Sequence, residues 1–106
     1  MNPNKDIESI IDITDEFAQA HRDLTYLESI KPAIKALEMS KSSQPSISGK
    51  EMDAYTSEAY QEFCSRYANA QRIYTSLKLK IETLKLKVDL YRTEAATNRQ
   101  LEKLTR

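Results

Sequence analysis

From Ile10 onward, apolar side chains recur at steps of three and four residues: Ile10, Ile13, Phe17, Ala20, Leu24 and Leu27, with an interruption at Lys31 before Ile34. Such spacing puts them on one face of an α-helix and forms a coiled-coil-like seam. Ile7, Ile11 and Ala18 widen the stripe, and Asp6, Glu8 and Asp12 occupy the first turns, where the positive end of the helix dipole favours acids. A first helix is predicted over about 5–39. Pro32 cannot donate a backbone hydrogen bond, which predicts a kink or break near Ser29–Lys31.

The pattern then stops. Residues 40–49 hold five serines, one proline and the only glycine, the composition of a connecting loop. Ser48 precedes Glu51 by three residues, the capping-box spacing that predicts a new helix, short, over 50–55. Thr56 or Ser57 can cap a fresh start at Glu58. From there Tyr60, Phe63, Tyr67, Ala70, Tyr74, Leu77, Ile81, Leu84, Val88, Tyr91 and Ala95 repeat the three–four step without a miss. A long helix over 58–103 is predicted, spanning about 70 Å at 1.5 Å per residue. Leu77–Ile81 and Leu84–Val88 also alternate with lysines as strands do, but Glu82-Thr83 between them has no hairpin-turn chemistry, and the heptad runs through it.

The predicted fold is all-α, a single domain over 1–106 built as a long helical hairpin with coiled-coil-like packing. Leu79, Leu86 and Leu90 fall off the main seam, near its back. Unless another chain covers them they face water, so they are the expected oligomer interface of a homo-oligomer. Whether the main seam pairs within or between chains is open at this level.

With 106 residues, one glycine and three prolines, the chain cannot supply the turns of a β-sandwich or barrel. No apolar run approaches the ~20 residues that span a bilayer, and residues 1–5 lack the apolar segment of a signal peptide. The single cysteine, Cys64, excludes an internal disulfide framework and fits a reducing cytoplasm. One histidine and one cysteine cannot build the usual zinc site, and no nucleophile–base set is visible. Neither enzyme activity, metal nor cofactor is expected. Gly49-Lys50 lacks the upstream glycine and strand of a phosphate loop. Acid pairs such as Asp15-Glu16 read as solvated helix surface, His21 has no triad partners at a recognisable spacing, and Cys64 is expected as a small packed side chain.

Charge changes the picture. The formal net charge is zero, yet residues 1–62 carry six basic and twelve acidic side chains, and residues 63–106 carry ten basic and four acidic. With Ile81 at heptad position a, Lys78, Lys85, Arg92, Arg99 and Arg106 all fall at e, and Lys80 and Lys87 on the opposite flank. A basic row with about 10.5 Å between successive members can follow a phosphate backbone. The plainer reading is flank pairing with Glu16, Asp23 and Glu28 of the first helix. The first helix is too short to shadow all of the second, so Arg92, Arg99, Lys103 and Arg106 are the better nucleic-acid candidates. Tyr60, Tyr67 and Tyr74, also seven apart, can stack on bases, but their place on the seam favours core packing.

Three segments carry a family resemblance: Tyr26-Leu27-Glu28-Ser29-Ile30-Lys31 through Lys35–Met39, Ala54-Tyr55-Thr56-Ser57-Glu58-Ala59-Tyr60, and Tyr91-Arg92-Thr93-Glu94-Ala95-Ala96-Thr97-Asn98-Arg99. Over residues 22–100 the chain resembles small helical bacteriophage proteins encoded near recombination and single-strand-annealing genes, and its layout is loosely similar to the UvsY-type recombination mediator of T-even phages. The resemblance implies an oligomer that binds single-stranded DNA and helps load a recombinase or annealing protein, in contact with that recombinase or with a single-strand binding protein, in the cytoplasm of an infected bacterial host. It makes Arg92, Asn98 and Arg99, which match the closing motif, the leading functional residues. The full expected DNA-binding set is Lys78, Lys85, Arg92, Asn98, Arg99, Lys103 and Arg106. The competing reading is a non-enzymatic coiled-coil interaction or host-takeover factor without DNA binding. The group often has a proline near the helix junction, where this chain has Glu58 and Ala59.

Overall fold

The computed structural model describes residues 3–105. Three helices follow one another: α1, Pro3–Ser40; α2, Ile47–Thr56; and α3, Glu58–Thr105. There is no strand among the described residues, and the lysine–leucine alternation at 77–88 lies inside α3. The chain is all-α. Its contacts fall into two units, one of residues 19–74 and one joining the chain up to Ala18 with the chain from Thr75. In each unit an α1 segment runs antiparallel to an α3 segment, the helical-hairpin arrangement.

In the unit of residues 19–74, Ala20, Leu24 and Leu27 of α1 and Tyr60 and Phe63 of α3 are buried, and Ala54 of α2 is completely enclosed. The aromatic seam is a chain of tilted ring contacts, Tyr60 to Phe63 and Phe63 to Tyr67, each with centroids 6.2 Å apart, and Tyr55 meets Tyr60 edge-on at 5.2 Å. In the other unit, Ile13 of α1 is buried with Leu84 and Val88 of α3. Within α3 the eleven positions of the three–four repeat are the residues that escape full exposure; all the others described there are exposed. Heptad spacing therefore decides burial residue by residue, because only the side facing α1 can leave water.

Two boundaries differ from the sequence expectation. α1 continues through Pro32 without a break. Pro32 is exposed, so water can replace the donor that the Glu28 carbonyl loses, while Ile30 and Ile34 on either side are half-buried and hold the turns together. α2 begins at Ile47, not at Lys50, because its N-cap is Ser46 and not Ser48. The Ser46 backbone is extended (ψ 154°), and its hydroxyl accepts the Gly49 amide at 3.0 Å. That cap bond goes to a backbone N–H, so it does not require the Glu51 of a capping box. A glycine suits position 49 for a steric reason: a Cβ there would lie 2.8 Å from the Gln44 Cβ.

One residue makes the corner between α2 and α3. Ser57 is the C-cap of α2, in extended conformation (φ −67°, ψ 149°), and its amide donates to the Ala54 carbonyl at 3.2 Å. The same hydroxyl accepts the Tyr60 amide at 3.2 Å as the N-cap of α3 and donates to the Ala54 carbonyl at 2.7 Å. Gln61 Nε2 donates to the Tyr55 carbonyl at 2.7 Å. The corner thus closes its own backbone groups through the Ser57 and Gln61 side chains.

Candidate nucleic-acid interface

α3 positions the candidate residues. Lys78, Lys85, Arg92, Asn98, Arg99 and Lys103 are all exposed, and all lie in the unit that includes the chain from Thr75. Arg106 lies outside the described residues. Lys78, Lys85, Arg92 and Arg99 follow one flank of the seam. Asn98 continues the seam register beyond Ala95, after which every described residue of α3 is exposed. Arg92, Arg99 and Lys103 rim a shallow open depression floored by Thr93, Ala96 and Thr97. Lys78 and Lys85 rim a smaller one beside Phe17, Ile81 and Glu82.

The flank-pairing alternative predicts ion pairs between this row and the acids of α1. Among the described residues the ion pairs are Lys41–Glu38 at 3.0 Å and Lys35–Glu51 at 3.6 Å, and neither involves α3. Two of the acids expected as partners have other contacts: Glu28 accepts the Tyr67 hydroxyl at 3.1 Å, and Asp23 accepts the Gln19 amide at 2.8 Å. Arg99 is exposed, and its Nε makes a long 3.4 Å contact with the Ala95 carbonyl of its own helix, which uses one of its five guanidinium donors. The described row is thus a set of exposed cations without carboxylate partners, the form in which lysine and arginine contact phosphates.

The tyrosines belong to the core. Tyr60 is buried, Tyr67 and Tyr74 are half-buried, and the Tyr74 ring lies 5.7 Å from His21. The hydrogen bond to Glu28 raises the Tyr67 phenol above its ordinary pKa, with burial and the negative charge of Glu28 adding to it. The side-chain hydrogen bond with Tyr55 is the largest influence raising Lys35 above its ordinary pKa, and it outweighs burial with help from Glu51. The Lys35 ammonium also lies 4.9 Å from the Tyr55 ring centroid. The Tyr67–Glu28 bond ties α3 to α1, and the Lys35 contacts tie α1 to α2. Cys64 is exposed and not packed as expected: it stands on the flank of the seam, at the edge of an open depression shared with Glu28, Lys31, Phe63 and Tyr67.

Leu79, Leu86 and Leu90 are exposed by 56, 69 and 52%, as their place behind the seam requires. Leu104, 82% exposed, lies on the same side and was missed because it stands beyond the last seam residue. Among the described residues, no three His, Cys, Asp or Glu side chains cluster as a metal site would require, and no helix is long and apolar enough to cross a membrane.

The chain matches no family model, no curated protein and no solved structure.

Proposed function

We propose that this chain is a helical accessory protein of phage DNA recombination that binds single-stranded DNA along the exposed basic flank of α3 and assists a recombinase or annealing protein in the infected cell. The observation that supports it most is the row Lys78, Lys85, Arg92 and Arg99, spaced seven residues apart, exposed and without carboxylate partners among the described residues. The closing-motif residues Arg92, Asn98 and Arg99, which the phage resemblance singles out, extend that row where the seam ends. Phosphate contacts by such a row give affinity with little sequence preference and a steep dependence on salt.

The test is titration of a labelled oligodeoxynucleotide at two salt concentrations, with native protein and two double variants. Arg92→Glu with Arg99→Glu is expected to abolish most binding and reduce the salt slope by about two. Lys5→Glu with Lys50→Glu makes the same charge change away from the row and is expected to leave most binding. Equal losses in the two variants refute the interface. A second reading, a protein-interaction factor without DNA binding, draws support from the exposed Leu79, Leu86 and Leu90. It predicts no titration signal with the native chain at either salt.

A further inference from the structure

The outer side of α3 carries a second heptad seam of its own. Leu79, Thr83, Leu86, Leu90, Thr93, Thr97, Gln100 and Leu104 again step by three and four residues, opposite the seam that faces α1. The threonines do not make the stripe polar. Thr83, Thr93 and Thr97 each donate the hydroxyl to a carbonyl four residues back, at 2.8, 3.1 and 3.0 Å. With the hydroxyls used within the helix, the methyl groups remain to fill the stripe. It runs for about 38 Å along the helix, and Leu79, Leu86, Leu90 and Leu104 are all more than half exposed.

The charges beside this stripe are asymmetric. One edge reads Lys80, Lys87, Glu94, and the other reads Glu82, Asp89, Lys103. None of these six forms an ion pair among the described residues. In an antiparallel coiled coil, like edges of the two helices meet. A copy centred between Leu90 and Thr93 puts Leu79 on the partner's Leu104, Leu86 on the partner's Thr97, and Leu90 on the partner's Thr93. The same register sets Lys87 against the partner's Glu94 and Glu82 against the partner's Lys103, each pair occurring twice by symmetry. Sliding one heptad brings Lys87 onto the partner's Lys87 and Asp89 onto the partner's Asp89. A parallel pair sets Asp89 against the partner's Glu94. Only the first register has opposite charges at both edges and no like-charge pair.

We propose that this face docks a second copy of the chain, antiparallel, in that register. The symmetric contact closes on itself, so the product is a dimer and not a filament. Arg92 and Arg99 are not members of the stripe or of its two charged edges, but they share an open depression with Thr93, Thr97 and Gln100 and so stand beside the contact.

Mass by light scattering, without nucleic acid, tests the docking independently of the DNA reading. The native chain is expected at twice its monomer mass. Leu86→Glu with Leu90→Glu is expected to halve that mass while far-ultraviolet circular dichroism stays helical. Lys87→Glu is expected to weaken the dimer, and adding Glu94→Lys to the same chain to restore it. A spin label at Thr105→Cys, in a Cys64→Ser background, is expected to lie about 40 Å from its symmetry mate, against less than half that in a parallel pair. A native monomer at high concentration, a mass unchanged by the double leucine variant, or a short label distance each overturns the proposal.

Discussion

Leu84 and Leu86 are two residues apart on the same helix, and their predicted behaviour differs sharply. Leu84 is 9% exposed on the seam, whereas Leu86 is 69% exposed on the opposite side. Full burial of a leucine contributes about 2–3 kcal/mol, and truncation to alanine at a packed site adds a cavity cost, giving about 2–5 kcal/mol. Leu84→Ala is therefore expected to lose about 3 kcal/mol, a large fraction of what so thin a core supplies. Leu86 has only about a third of its surface covered, so Leu86→Ala is expected to lose less than about 1 kcal/mol in the monomer. Urea unfolding followed at 222 nm, at two protein concentrations, separates the two. The Leu84 loss should be the same at both, because its contacts lie within the chain. The Leu86 loss should be small when dilute and grow with concentration as the stripe dimerises. Equal losses in dilute solution, or the larger loss at Leu86, would refute the assignment of faces from which every other statement about α3 follows.

Other outcomes are as specific. Ser57→Ala removes the side chain that caps α3 and is expected to cost about 1 kcal/mol by the same urea assay, while Ser48→Ala, which caps nothing, should cost less than half of that. Gly49→Ala should not give the roughly 1 kcal/mol that alanine normally gains over glycine within a helix, because its Cβ would meet Gln44; replacing Gln44 by glycine in the same chain should recover the gain. The Tyr67 pKa is raised in the folded chain, so the bond to Glu28 stabilises the fold below the ordinary tyrosine pKa and loses that contribution as pH rises through the higher folded value. Glu28→Gln should lower the Tyr67 titration midpoint, read by carbon-13 NMR of tyrosine-labelled protein. Cys64 should react with an aromatic disulfide reagent in the native state, at nearly the rate of the unfolded chain, since it is exposed.

The two long helices were legible because their information is local and repeated. A three–four spacing sustained over eleven positions admits one orientation of α3, and every one of those positions escapes full exposure. The same register predicted the exposure of Leu79, Leu86 and Leu90 and of the basic row. The sequence by itself therefore determined helix content, the inward face and the segregation of charge. Boundaries and individual partners were decided by the tertiary structure. Ser46 and Ser48 carry the same hydroxyl, and which one caps α2 depends on where the chain turns after the loop. Pro32 reads as a break from its chemistry alone, but its exposed place on α1, between half-buried neighbours, lets the helix run through. The pairing of acids with the basic row was undecidable from spacing, because a flank position states only that two charges are near enough to choose each other. In the structure the described cations of the row are exposed, and the ion pairs among the described residues, Lys35–Glu51 and Lys41–Glu38, do not include them. Periodicity is a property of one helix, whereas a partner is a property of two surfaces at a fixed distance, and only the folded chain sets that distance.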